Sequence, residues 1–136
     1  PFRKEWDLAF IDFIQKLDAS KPVVCTGDLN VAHQAIDLAR PKANYNKTPG
    51  YTQDEIDGMS RLLEEGKLCD SWRRKHPNEV GYSWWSYRGG AREKNVGWRL
   101  DYMLVSERLM DRVDSVKIHA DVVGSDHCPV FLDLQV

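Results

Sequence analysis

The chain has 136 residues, a formal net charge of −2, 42% hydrophobic and 29% charged residues. That balance excludes a disordered chain, and the length fits one domain with a real core. No apolar run is long enough to cross a bilayer, and a near-neutral surface excludes a general polyanion magnet.

The opening "PFRKEWDLAF" reads as helix rather than as a signal peptide, and Pro1 in place of an initiator Met points to a piece of a longer chain. Over residues 3–18, Trp6, Phe10, Phe13 and Leu17 recur at helical spacing and predict the apolar face. "DASKP" ends that helix. "PVVCTG", 22–27, is a short β-branched run and reads as a strand that ends in the turn "GDLN". Cys25 in this run reads as a small buried hydrophobe. The three cysteines, Cys25, Cys69 and Cys128, are scattered and form no C-x-x-C pair, which fits a reducing, intracellular setting (cytoplasmic or nuclear) and excludes a zinc ribbon.

Residues 40–50, "RPKANYNKTPG", read as a loop. Thr52 and Glu55 then form a capping box, Ile56, Met59 and Leu63 predict a buried face, and Gly66 stops the second helix. "YSWWSY", 82–87, and "WRLDYMLVS", 98–106, predict two strands, and "VDSVKIHA", 113–120, a weaker one. In the last, 129–136, Val130, Leu132 and Leu134 face one way and Asp133 and Gln135 the other. Trp72 and Trp85 read as core aromatics. Mixed helices and strands, with strands crowding the second half, predict an α/β domain rich in antiparallel pairs.

Three strand ends carry polar groups. Asp28 and Asn30 follow the first strand, Asp101 interrupts an apolar one, and Asp126 and His127 precede the last. A carboxylate buried in a strand needs a partner, and a histidine is the obvious one for Asp101. An Asp–His pair fixes an imidazole tautomer and supports its positive charge. A second Asp can orient and deprotonate a water, and spare carboxylates suit a hard cation such as Mg²⁺. Together these parts suit attack of water on a phosphodiester. Arg88, Arg92, Lys94 and Arg99 lie among Trp and Tyr residues, and Arg73, Arg74 and Lys75 form a second basic cluster; by themselves they read first as a solvated charged surface, and they also fit a DNA face.

"PVVCTGDLNVAHQAIDL", "YSWWSYRGGAREKNVGWRLDYMLVS" and "GSDHCPVFLDL" closely resemble the exonuclease III-type abasic-site endonucleases of the endonuclease/exonuclease/phosphatase superfamily. The resemblance covers essentially the whole chain but only the C-terminal half of the family's domain. It implies half of a four-layer, DNase I-like α/β sandwich, with a mixed, mostly antiparallel sheet and helices on one face. It also implies a DNA-repair phosphodiesterase that cuts 5′ to abasic sites in double-stranded DNA with Mg²⁺ (or Mn²⁺), with 3′ exonuclease activity as an addition. By the same resemblance Asp28, Asn30, Asp101 and His127 are catalytic, and Asp28, Asn30, Asp126 and His127 hold the metal. Trp84 and Trp98 wall the pocket for the extruded sugar, Arg88 enters the duplex, and Asn44 and Asn46 sit in the loop that meets the backbone; Arg92, from the basic cluster, is expected to bind DNA beside them.

The family's N-terminal half, with its metal-binding Glu, has no counterpart here. The chain by itself is therefore expected to be inactive or nearly so, and to expose an apolar face to that partner half. Two other readings stay open: a superfamily phosphodiesterase or phosphatase with another substrate, and a non-catalytic DNA-binding piece.

Overall fold

The computed structural model describes residues 2–136. In chain order the elements are α1 (Phe2–Ser20), β1 (Val24–Asp28), α2 (Pro41–Asn44), α3 (Gln53–Glu65), β2 (Leu68–Asp70) and α4 (Ser71–Lys75). They are followed by β3 (Trp84–Trp85), β4 (Gly97–Trp98), β5 (Asp101–Ser106), β6 (Val113–Ile118) and β7 (Val130–Leu134), with short 3₁₀ turns between. The fold is α/β, as expected, and the named strand pairs are all antiparallel: β1-β5-β2, β3-β4 and β6-β7.

Strand β5 is the organising element, because alternate side chains feed two cores. Tyr102 and Leu104 pack with Ile11 and Ile14 of α1, Met59 and Leu62 of α3, and Leu68. Val105 faces the other way, into a cluster with Cys69, Trp72, Val113 and Val116. Helices α1 and α3 thus cover one face, while the other receives Trp72 and the β6–β7 hairpin.

Several expectations need correction. The buried face of α1 is Ile11 and Ile14. The stripe Trp6, Phe13 and Leu17 is exposed and Phe10 half-buried, because α3 meets the neighbouring face of the helix. The segment 40–50 contains the helical turn α2, with Pro41 at its first position, where the missing N–H costs nothing. The strand expected over 98–106 is broken at Arg99 and Leu100, where Arg99 leaves the ladder to reach buried acids. The strand expected over 82–87 shrinks to Trp84–Trp85. Cys25 is half-buried rather than buried.

Helix α3 forms with its expected cap, but its buried residues are Met59 and Leu62, with Ile56 and Leu63 half-buried. Thr52 Oγ1 accepts the Glu55 amide and the Glu55 carboxylate accepts the Thr52 amide. Gly66 closes the helix with ordinary φ; what requires glycine is the Leu62 carbonyl, 2.4 Å from where a Cβ would sit.

Among the described residues, Asp37, Asp70, Arg73 and Arg99 form a buried ion cluster. Arg99 is 1% exposed and grips Asp70 with both terminal nitrogens, at 3.0 and 2.6 Å, and Asp37 through Nε at 2.8 Å. Arg73 adds a second cation on Asp37 and bonds the carbonyls of His76 and Glu79. Arg73 and Arg99 are therefore buried structural cations, not part of an exposed DNA face. Burial alone would raise the Asp37 pKa, but the two guanidiniums outweigh it and hold the carboxylate ionised.

Candidate active site

The site is built where three strand ends converge. Asp28, the last residue of β1, lies directly across from Asp101, the first residue of β5. His127 reaches the same place from the segment before β7. Its Nδ1 lies 2.8 Å from Asp101 Oδ2, and its Nε2 is 3.8 Å from Asp28 Oδ2. Asp101 thus fixes the ring, as the lone strand carboxylate required, and leaves Nε2 facing outward.

Partial burial would lower the His127 pKa. The Asp101 hydrogen bond, with the charges of Asp101, Asp28 and Asp126, outweighs it, so the net shift is upward. The imidazole is thereby biased towards its cationic form, which suits an oxyanion or a phosphate oxygen.

The backbone around Asp28 is set by a local device. Asn30 takes a left-handed φ of 52°, and its amide donates to Asp28 Oδ1 at 2.8 Å. This Asx-type turn is what "GDLN" encodes. It stops the strand and holds both polar side chains at the surface.

Ser83 ties these strand ends together and has no sequence signal. Fully buried, its Oγ accepts the amides of Leu100 and Asp101, each at 3.0 Å. Its carbonyl accepts the Cys128 amide and its own amide donates to Trp98. One serine therefore links β3, the start of β5 and the segment carrying His127.

A cavity of about 730 Å³ opens above this point. Asp28, Asn30, Asn44, Arg88, Trp84, Trp98 and His127 all line it. The Trp84 and Trp98 rings meet edge to face with centroids 6.4 Å apart and form an apolar wall beside the polar floor. Gly50, at φ +101°, lets the Trp98 ring approach: a Cβ there would lie 3.2 Å from it. Arg40 also lines the cavity and was missed; in sequence it looks like any loop cation.

Other expected residues fall elsewhere. Asp126 does not join the acid cluster. Its carboxylate accepts Trp84 Nε1 at 3.1 Å, and this bond is the main cause of its lowered pKa. Asn46 lies outside the cavity lining, and its Oδ1 accepts the Gln53 amide at the start of α3. Arg92 is also outside that lining, bonded to backbone carbonyls of residues 120–125. Asn44 lines the cavity, but its side chain donates to the Arg40 carbonyl and accepts Thr48 Oγ1.

Asp28, Asp101 and His127 bring ligand atoms within 4.8 Å of one another and form a group able to hold a metal ion. Asp28 and His127 of the expected set are in this group with Asp101; Asn30 lies beside Asp28, and Asp126 turns to Trp84. The outward carboxylate oxygens of Asp28, beside the exposed Asn30, are the donors a hard divalent cation prefers, with water filling the rest of its shell.

The family described as "Endonuclease/Exonuclease/phosphatase family" matches residues 2–127. The chain is 50% identical over 136 residues to the exodeoxyribonuclease of Bacillus subtilis (strain 168), covering 99% of this chain and 53% of that protein. It is 51% identical over 129 residues to the DNA-(apurinic or apyrimidinic site) endonuclease of Dictyostelium discoideum, covering 93% of this chain and 35% of that protein. Among solved structures, the 3′ phosphatase NExo from Neisseria bound to product DNA hairpin superposes with a TM-score of 0.92 at 26% identity, over 99% of this chain and 54% of that one. The chain spans about half the length of the first relative and about a third of the second.

Proposed function

The chain belongs to the endonuclease/exonuclease/phosphatase family, and on that premise we propose that the protein hydrolyses the DNA backbone on the 5′ side of abasic sites. The carrying observation is the His127 imidazole, held by Asp101 and facing a cavity walled by Trp84 and Trp98.

In this reading the scissile phosphate sits over His127 Nε2. The cationic ring donates to a phosphate oxygen and balances charge as the transition state forms. Asp28 orients a water and takes its proton, and Asn30 holds that water without titrating. Asp101 keeps the ring in place and does not touch the substrate. Asp28, with Asn30 beside it, would hold Mg²⁺, with Mn²⁺ as the alternative; the ion would supply charge neutralisation at the phosphate.

Trp84 and Trp98 would take the extruded sugar. A nucleotide without a base pays least to leave the stack and fits a cavity closed by two indoles. Arg88, exposed at the rim, would enter the duplex, and Arg40 would meet a phosphate from the opposite side.

A second activity rests on the relatives' descriptions. One is an exodeoxyribonuclease and another a 3′ phosphatase. The same residues would process 3′ ends if the terminal nucleotide takes the place of the abasic sugar.

The 136-residue chain alone is proposed to be inactive or nearly so. Val24 and Phe131 are exposed on strands, and the acids around His127 number few for a tightly held ion. The partner would be the N-terminal half of the same domain. An intracellular, reducing location is proposed from the three free thiols; no described helix is long and apolar enough to cross a membrane.

The test is a set of three duplexes: one abasic site, an intact control, and a 3′-phosphate end, each with Mg²⁺ and with EDTA. EDTA-sensitive cutting confined to the 5′ side of the abasic site supports the reading. Equal cutting of the intact duplex refutes the substrate assignment.

A further inference from the structure

His127 and Asp126 lie at the end of a segment, residues 119–126, that crosses the surface between β6 and β7. Its two ends are held by backbone bonds: the His119 amide donates to the Pro129 carbonyl, and the Trp85 amide to the Asp126 carbonyl. Between them the chain turns through Gly124 at φ +117°, and Val122 and Val123 are exposed. Among the described residues, the carbonyls of this stretch have little main-chain support.

Arg92 supplies that support. Its Nη1 donates to the Ser125 carbonyl at 2.8 Å, and its Nη2 to the carbonyls of Ala120 at 3.0 Å and Val122 at 2.7 Å. The guanidinium lies 4.5 Å from the centroid of the buried Trp85 ring, so its plane is fixed from behind. Ser125 then passes the constraint on, because its Oγ accepts the His127 amide at 3.1 Å. Trp85 is itself anchored by Nε1 to Asn95 at 3.0 Å.

We propose that Arg92 is a positioning residue for His127, acting through Ser125, and that a DNA phosphate is not its ligand. Both terminal nitrogens are already committed to carbonyls, so a phosphate would have to displace bonds that shape the site. A misplacement of about 1 Å in a group contacting the reacting phosphate can cost on the order of 10²-fold in rate.

The test uses Arg92→Gln and Arg92→Lys in the full-length protein, with an abasic duplex under single-turnover conditions, and amide hydrogen exchange without DNA. Its catalytic arm rests on the function proposed above, and its exchange arm does not. The expected result is a cleavage rate at saturation lowered by about 10-fold or more, with Kd and its salt dependence unchanged. Exchange at the His127 amide rises in both variants. Lys fails to rescue because an ammonium on a flexible stem cannot reproduce the planar fork.

A phosphate contact gives the opposite pattern: weaker binding, a log–log salt slope shallower by about 0.9, and an unchanged rate at saturation. That pattern, or unchanged exchange at His127, overturns the proposal. If the Arg92 variants do not fold, Ser125→Ala removes only the acceptor and keeps the carbonyl bonded to Arg92. It should raise His127 exchange and lower the rate less; unchanged exchange overturns the proposal. If the parent protein leaves the abasic duplex uncut, the substrate reading fails, and the exchange result alone decides the role of Arg92.

Discussion

Asp28 and Asp101 stand directly opposite each other across the β1–β5 pair, and the His127 ring enters beside both carboxylates. Two like charges at one end of a ladder repel. A cation inserted there relieves the repulsion, and the Asp101 hydrogen bond with the nearby acid charges shifts the imidazole pKa upward.

This arrangement predicts the titration of His127. In metal-free buffer its imidazole should titrate above the ordinary histidine value, and Asp101→Asn should bring it back down. The raised value stabilises the fold fully below the unfolded imidazole pKa, and that contribution is lost as pH rises through the folded one. NMR of the ring carbons reads both. Asp101→Asn should also lower cleavage by the full-length protein by about 10²-fold or more, through the tautomer rather than through contact.

Trp84 couples the pocket wall to Asp126. Replacing it with phenylalanine keeps an aromatic surface but removes the Nε1–H that Asp126 accepts. Trp84→Phe should therefore raise the Asp126 pKa, seen in a carboxyl-carbon titration. An unchanged value would mean that the hydrogen bond does not set it.

The buried ion cluster predicts a strong asymmetry. Asp37→Asn or Arg99→Met leaves a charge uncompensated in the interior and should cost about 3–5 kcal/mol. Arg99→Lys should also destabilise, because one ammonium cannot bridge both carboxylates. Urea unfolding midpoints, read at constant slope, give the comparison.

Gly97 in "NVGWRLDY" has a packing role. A Cβ there would lie 2.5 Å from Trp85 Nε1 and 2.7 Å from Tyr82 Cβ. Gly97→Ala should destabilise by about 1–3 kcal/mol through overpacking, measured by the same unfolding curves.

Much of the site was legible because its residues sit at ends of short elements with strong local signals. The turn "GDLN", the lone carboxylate in "RLDYMLV" and the pair before "PVFLDL" each stood out against an apolar background. The capping box at Thr52 was legible for the same local reason. What sequence could not show is contact at long range. Arg99 and Asp37 are 62 positions apart and meet in the core, so an arginine in a basic run read as DNA-facing. Arg92 is similar, since nothing local says that three carbonyls await it. On α1, the periodicity of Trp6, Phe10, Phe13 and Leu17 was real, but period alone does not say which stripe meets α3.

The most direct test of the account is single-turnover cleavage of a duplex with one abasic site by the full-length protein, its His127→Ala variant and its Asp28→Asn variant, with Mg²⁺ and with EDTA. EDTA-sensitive cutting 5′ to the site is expected, with a loss of about 10²–10⁴-fold in each variant and duplex binding retained. Variants that cut as fast as the parent would contradict it, because the cluster at the meeting of β1, β5 and the segment before β7 would then not perform the chemistry.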